Sequence, residues 1–378
     1  MNNLQSLSLF LPEWGLLATV LLVIVVDLIG RRQGGRVAGR WFMWGLLLTF
    51  ILVLFQGQTR ITALFLNSLA LDPFGTFFKI LLLLSTFLVV FVVRLSRELA
   101  EIPMGEFYML MGIMLLGMFL MVSAIDLIMV YLSIEVVSLS SFILSGYLKN
   151  SKRSNESALK YVIYGAFSSG LMLFGLSYLY GLTGSTKYYQ ITAQLQHLDP
   201  AGYGALVLAA ILILAGFGYK ISAVPFHFWT PDVYEGAPTT ITAYLSVAPK
   251  AAGFAILIRF FHDVFTIVPD SGSSWTALAG LPWPQLLAVL SAVTMTLGNL
   301  VALKQTSVKR MLAYSSIAHA GYMLMAVPVL SRDGIFGIMI YLIMYLLMNL
   351  GAFFVVIFVE NKLNSELFED YHGLGWKI

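Results

Sequence analysis

The residues with the clearest capacity for chemistry lie in one stretch, Gly216 to Lys250, which reads GFGYKISAVPFHFWTPDVYEGAPTTITAYLSVAPK. It sets Lys220, His227, Asp232, Glu235 and Lys250 among apolar residues and carries Pro225, Pro231, Pro238 and Pro249. Outside it, Glu135 is followed by Ser138, Ser141 and Ser145 at helical spacings of three and four, which places a carboxylate and hydroxyls on one stripe. Lys160, Tyr164 and Ser168 repeat the pattern; Ser315, His319 and Tyr322 repeat it again. Lys250 has Ser246 one turn before it and Gly253 just after. A lysine taken out of water can release and regain a proton, and histidine exchanges one near neutral pH. A row of such groups beside a carboxylate can hand protons from site to site.

The elements that position these groups are membrane helices. Of 378 residues, 59% are hydrophobic and 11% charged, and the apolar residues arrive in long runs. We expect an all-α polytopic membrane protein with eleven spans. They fall near 8–29, 41–58, 74–95, 106–124, 127–148, 157–182, 204–222 with a second half near 226–235, 240–264, 284–303, 309–330 and 335–360. The seventh is discontinuous, with the break inside 216–236. Proline removes a backbone donor and leaves the carbonyl four residues back unpaired, so Ile221 and Leu245 are expected to present free carbonyls. Irregular backbone survives at membrane depth only where protein or trapped water satisfies it. Lysines and broken helix at one depth therefore predict an internal hydrated path.

Loop charge gives an orientation. With eleven spans and an external N-terminus, the cytoplasmic loops carry twelve basic residues: Arg31, Arg32, Arg36, Arg40, Arg94, Arg97, Lys149, Lys152, Arg153, Lys304, Lys309 and Arg310. The external loops carry three, Arg60, Lys187 and Arg332, and a missed helix would scramble this asymmetry. Residues 60–71, with partly alternating apolar positions, suggest a short hairpin on the outer surface. Glu13, Asp27 and Arg259, near span ends, read as interfacial side chains. Lys79 lies about one turn inside its span.

Composition excludes several chemistries. Cysteine is absent, so disulfides, thiolate metal sites, cysteine-ligated clusters and cysteine nucleophiles are ruled out. The five histidines have no metal-ligand spacing, and no Gly-rich phosphate loop follows a strand. A net charge of +3 gives no reason to expect nucleic acid.

The runs SIEVVSLSSFIL around Glu135, SALKYVIYGAFSSG around Lys160, YKISAVPFHFWTPDVYEGAPT and LAYSSIAHAGYM resemble the antiporter-like membrane subunits of respiratory complex I. The resemblance runs from about residue 10 to the end. It implies inverted five-helix repeats, each with a discontinuous helix: N-terminal helices over 1–104, a first repeat over 105–265, and the start of a second, incomplete repeat over 266–378. It assigns proton transfer to Glu135, Lys220 and Lys250, with Lys160, His227 and His319 as accessory positions. It implies a subunit of an NADH-quinone oxidoreductase that pumps protons across a bacterial inner (plasma) membrane. This chain would hold no cofactor; NADH, FMN, iron-sulfur clusters and quinone would sit on partner membrane and peripheral subunits. The alternative sharing this architecture is a subunit of a multisubunit sodium/proton antiporter. A structural spacer is the third reading, and it predicts that the buried lysines are replaceable by Met or Leu.

Overall fold

The computed structural model describes residues 3–30, 34–56, 61–99, 102, 104–267, 275–363 and 365–374. Its helices are α1 (Asn3–Ser8), α2 (Leu11–Gly30), α3 (Gly34–Gln56), α4 (Pro73–Val93), α5 (Gly105–Ser123), α6 (Leu127–Ser145) and α7 (Lys152–Thr183). They continue with α8 (Tyr188–Leu195), α9 (Tyr203–Ile221), α10 (Trp229–Gly236), α11 (Thr239–Val264), α12 (Trp283–Ala302), α13 (Val308–Leu324) and α14 (Arg332–Leu363). Two hairpins join them at one end of the bundle, β1 (Thr62–Leu64) with β2 (Leu69–Leu71) and β3 (Thr266–Ile267) with β4 (Thr276–Ala277). Among the described residues, eleven helical segments are long and apolar enough to cross a membrane. The expected eleven spans and the broken seventh are both present.

The helix starts follow local rules. Asp72 accepts from Gly75 N–H at the head of α4 with Pro73 behind it, and Asp126, Ser151 and Ser307 cap α6, α7 and α13 through their side chains. The hairpin expected at 60–71 is β1–β2, with Thr62 opposite Leu71. Helix α8 lies between the sixth and seventh expected spans. Its signal was the apolar set Tyr188, Ile191 and Leu195 at spacings of three and four, all buried. Of the loop charges, Arg31, Arg32 and Arg60 lie outside the described residues, as does the side chain of Arg36.

Helix α11 is the axis. It is buried along its whole length except at Asp263 and packs against α4, α5, α6, α8, α9, α10, α13 and α14. A helix apolar on every face belongs in the centre of a large bundle, and this one places Lys250 there.

Two residues expected at the interface are buried in ion pairs instead. Arg259 grips Asp72 with two parallel bonds, Nη1 to Oδ2 at 2.7 Å and Nη2 to Oδ1 at 2.9 Å, while its Nε donates to the Val122 carbonyl. Glu13 meets Lys79 at 2.5 Å, both almost fully enclosed. Side-chain length alone permits snorkelling, but an oppositely charged partner on the neighbouring helix, Asp72 for Arg259 and Lys79 for Glu13, made the inward position available. Asp27, the third, is half-buried against the first residue of α5.

Burial pushes the Asp72 carboxyl up, but the charge and hydrogen bonds of Arg259, with the Gly75 N–H, outweigh it and hold the group below its ordinary value. A carboxyl held low contributes stability above the usual carboxylate range and loses it as pH falls through its folded value. Arg259→Met leaves Asp72 buried without its partner and is expected to cost about 3–5 kcal/mol. Thermal unfolding in detergent at neutral pH checks this, and the gap between variant and parent should narrow in acid.

Candidate functional site

The break in the seventh span comes earlier than its proline alone would force. Helix α9 ends at Ile221, and Ser222 turns left-handed at φ 64°, so the Ala223 N–H returns to the Gly218 carbonyl at 2.8 Å. The following irregular backbone is held by side chains. Trp229 Nε1 donates to the Tyr219 carbonyl at 3.0 Å, Thr294 Oγ1 accepts from the Val224 N–H at 3.0 Å, and Thr230 Oγ1 donates to Ser222 Oγ at 2.8 Å. Tyr161 stacks on Trp229 with ring centroids 4.4 Å apart. Non-helical backbone at this depth is thus satisfied inside protein, as a membrane requires.

Lys220, in the last turn of α9, is 2% exposed and donates to Ser138 Oγ at 3.2 Å. Ser138 stands one turn along α6 from Glu135, whose buried Oε1 has no hydrogen-bond partner. The described residues hold no direct ion pair between Lys220 and Glu135; the hydroxyl is the ammonium's contact. The Lys220 stem crosses α11 at Gly253, where an added Cβ would lie 3.0 Å from Ile221 Cγ2 and 3.3 Å from Lys220 Cγ. The missing side chain there lets α9 approach closely enough for Lys220 to reach α6.

Lys250 is 1% exposed, and Nζ donates to Ser316 Oγ at 2.7 Å and to the Ser316 carbonyl at 3.2 Å. The Tyr234 ring centroid is 5.6 Å from the same nitrogen. None of these contacts is a carboxylate, so the charge of Lys250 is answered by hydroxyl, carbonyl and aromatic face. Glu135 is the ninth of nineteen residues of α6 and Lys250 the twelfth of twenty-six in α11, which sets both near the middle of their spans. With Lys220 lying on Gly253, the three share one depth.

The accessory positions divide. His227 is buried in the break with Nδ1 unpartnered and its ring 4.5 Å from that of Phe228. His319 faces three tyrosines: Nδ1 meets Tyr341 Oη at 2.5 Å, and the rings of Tyr322 and Tyr345 lie 5.5 and 5.3 Å away. Lys160 stands apart. Its side chain is 38% exposed, and Nζ pairs with Asp232 and Glu156 at 2.8 Å each. Arg310 Nη1 joins the network at 2.7 Å from Asp232 and 2.8 Å from Glu235. The repeated helical pattern grouped Lys160 with the row beside Glu135; it instead has two acids of its own. Such a partly exposed network contributes little to stability per pair, and it anchors α7, α10 and α13 at one end of the bundle.

At that same end lies a cavity of about 330 Å³ lined by Glu98, Glu360, Glu366, Lys309 and Arg153. Glu98 accepts from the first N–H of α11, at Thr239, at 2.8 Å, and the Thr239 hydroxyl donates to Glu360 at 2.7 Å. Carboxylates at a helix N-terminus answer its unpaired donors and dipole. Burial pushes the Glu98 carboxyl up; the Lys309 charge opposes the rise and Glu360 adds to it. Glu98 comes from a loop far away in sequence, and no spacing announced it.

Several residues of the site went unmarked in the sequence. Ser316, Tyr234, Tyr341, Tyr345 and Asn349 all touch Lys250, Ser246 or His319. The signal for the last group was present: Tyr341, Tyr345 and Asn349 recur every four residues in an otherwise apolar span.

Comparison with known proteins gives the family. The family described as NADH:quinone oxidoreductase/Mrp antiporter, TM, matches residues 124–378. The chain is 48% identical to NADH-quinone oxidoreductase subunit N of Anaeromyxobacter sp. (strain Fw109-5), covering 99% of this chain and 74% of that protein. It is 40% identical to NAD(P)H-quinone oxidoreductase subunit 2 of Synechococcus sp. (strain JA-3-3Ab), covering 100% and 69%. Among solved structures it superimposes on a chain of respiratory complex I from Thermus thermophilus with bound aureothin. That match has TM-score 0.74 and 31% identity over 92% of this chain and 70% of that one. The chain belongs to the NADH:quinone oxidoreductase/Mrp antiporter family of membrane proteins, among its subunit N members.

Proposed function

We propose that this chain is a proton-translocating membrane subunit of an NADH:quinone oxidoreductase of the complex I type. In this reading Glu135 and Lys220 act as a coupled pair and Lys250 as the relay that follows. The carrying observation is that Lys220 and Lys250 are enclosed at one depth, on Ser138 and Ser316, with no carboxylate in direct contact. A charge so placed is costly unless it does work, and an ammonium held by hydroxyls can shed its proton without breaking an ion pair. A change in the Glu135 charge, acting through a low-dielectric interior, shifts the balance at Lys220 and then at Lys250. His227 and His319 stand at the two flanks of the row as accessory exchangers, and Lys160 serves at its rim.

NADH oxidation and quinone reduction belong to partner membrane and peripheral subunits, which also hold FMN and the iron-sulfur clusters. The basic loops lie on the cytoplasmic side of a bacterial inner membrane, with the N-terminus outside. Residues 1–104 form flanking helices, 105–265 a first repeat with the broken helix, and 266–378 belong to a second.

The test is gentle detergent extraction of the native membrane followed by assay. The expected result is copurification with flavin- and cluster-bearing polypeptides and NADH-driven proton uptake into vesicles, indifferent to a sodium gradient. Isolation without redox partners, with proton movement driven by sodium, would instead assign the chain to a multisubunit sodium/proton antiporter.

A further inference from the structure

Helix α11 has a weak turn immediately before its buried lysine. Pro249 supplies no N–H to the Leu245 carbonyl, so the turn 245–249 lacks one helical bond. An unsupported turn there would let the Lys250 backbone drift, and with it an ammonium whose contacts are only 2.7 and 3.2 Å long.

Two side chains of α14 close on that turn. Asn349 Nδ2 donates to Ser246 Oγ at 2.5 Å, and Ser246 Oγ in turn donates to the Ala243 carbonyl at 2.7 Å. Tyr345 Oη donates to the Ser246 carbonyl at 3.2 Å, one helical turn before Lys250. Asn349 is 2% exposed and Tyr345 1%, and both polar ends are aimed inward from an apolar helix. The Tyr345 ring also packs 5.3 Å from the His319 ring, and Tyr341, one turn earlier, holds His319 Nδ1. One stripe of α14 thus touches both the turn that carries Lys250 and the histidine beyond it.

We propose that Tyr345 and Asn349 are positioning residues for proton transfer: with Ser246 they brace the proline-weakened turn of α11, fixing Lys250 on Ser316 and in register with His319. The inference rests on the reading of Lys250 as a proton carrier and adds the residues that keep it in place. A misplacement of a reacting group by about 1 Å can cost orders of magnitude in rate, so such a brace has kinetic consequences without touching the proton itself.

The experiment uses the assembled complex in membrane vesicles, with Tyr345→Phe, Asn349→Leu, Asn349→Gln and Lys250→Met compared. Protons moved per NADH oxidised are measured alongside the amount of assembled complex and the solvent deuterium isotope effect on coupled turnover. Tyr345→Phe and Asn349→Leu are each expected to lower the proton ratio by about threefold or more and to raise the isotope effect, with Asn349→Gln recovering most of the loss. Should Asn349→Leu fail to assemble, Tyr345→Phe, which keeps the ring, still decides. Normal proton ratios in both variants beside an inactive Lys250→Met overturn the brace alone. Lower amounts of complex with an unchanged ratio per complex mean a purely structural role and also overturn it. A normal Lys250→Met overturns the reading beneath it.

Discussion

Lys220→Ala lowers NADH-driven proton translocation by at least about tenfold while leaving the amount of assembled complex within a factor of about two of the parent, the loss expected when a positioned proton carrier is removed. The geometry separates the two effects. Lys220 lies at the end of α9, where the chain is already turning, and the break is held by Trp229, Thr230 and Thr294 rather than by the lysine. Removing the ammonium frees Ser138 of one donor and leaves a small void over Gly253, a modest packing loss beside the chemical one. Lys220→Met, which fills the void without a proton, separates packing from transfer and is expected to be as inactive as Lys220→Ala. Vesicle acidification driven by NADH, normalised to the NADH–ferricyanide activity of the peripheral subunits, is the measurement.

Lys250→Met has the second large effect, of similar size on translocation, and it raises rather than lowers thermal stability. A buried ammonium with no carboxylate partner costs folding energy, and a well-packed apolar side chain of similar volume is often neutral or more stable by about 1–4 kcal/mol. Methionine fills much of the same space without a charge beside the Tyr234 ring and leaves Ser316 Oγ bonded to the Ala313 carbonyl, as it is now. Higher stability with lost function is the mark of a residue retained for its work. Equal stability and equal pumping would favour the spacer reading. Detergent thermal denaturation of the purified complex and the vesicle assay together check the pair of outcomes.

Much of this architecture was legible in the chain because membrane insertion leaves few choices. Eleven apolar runs of spanning length can only be helices, and prolines beside Lys220 mark a broken one. Glu135, Lys220 and Lys250 announced themselves because charge within such runs is rare. What the sequence did not disclose depends on distant partners. Arg259 and Glu13 look the same in sequence whether they snorkel or turn inward, and only the placement of Asp72 and Lys79 decides. Lys160 has the helical pattern of a buried site, yet Asp232 and Glu156 draw it to the rim. Ser316 was passed over for Ser315, one position away, because a hundred degrees of helix rotation settles which hydroxyl faces Lys250.

No salt bridge joins Glu135 to Lys220 among the described residues; the ammonium's contact is the Ser138 hydroxyl, one turn along α6 from the carboxylate. Without a short ionic contact neither group is locked, and both keep the ability to change charge. That arrangement suits a relay in which the state of Glu135 biases Lys220 without trapping its proton.

The most direct measurement of that coupling is a double-variant cycle on protons moved per NADH oxidised, comparing Glu135→Gln, Lys220→Ala and the two combined in assembled complex. If the carboxylate and the ammonium form one transfer unit, the combined variant pumps no worse than the poorer single one. If their losses instead multiply, or if all three variants pump at the parent ratio, the two residues do not act together and the buried row is not the proton's path.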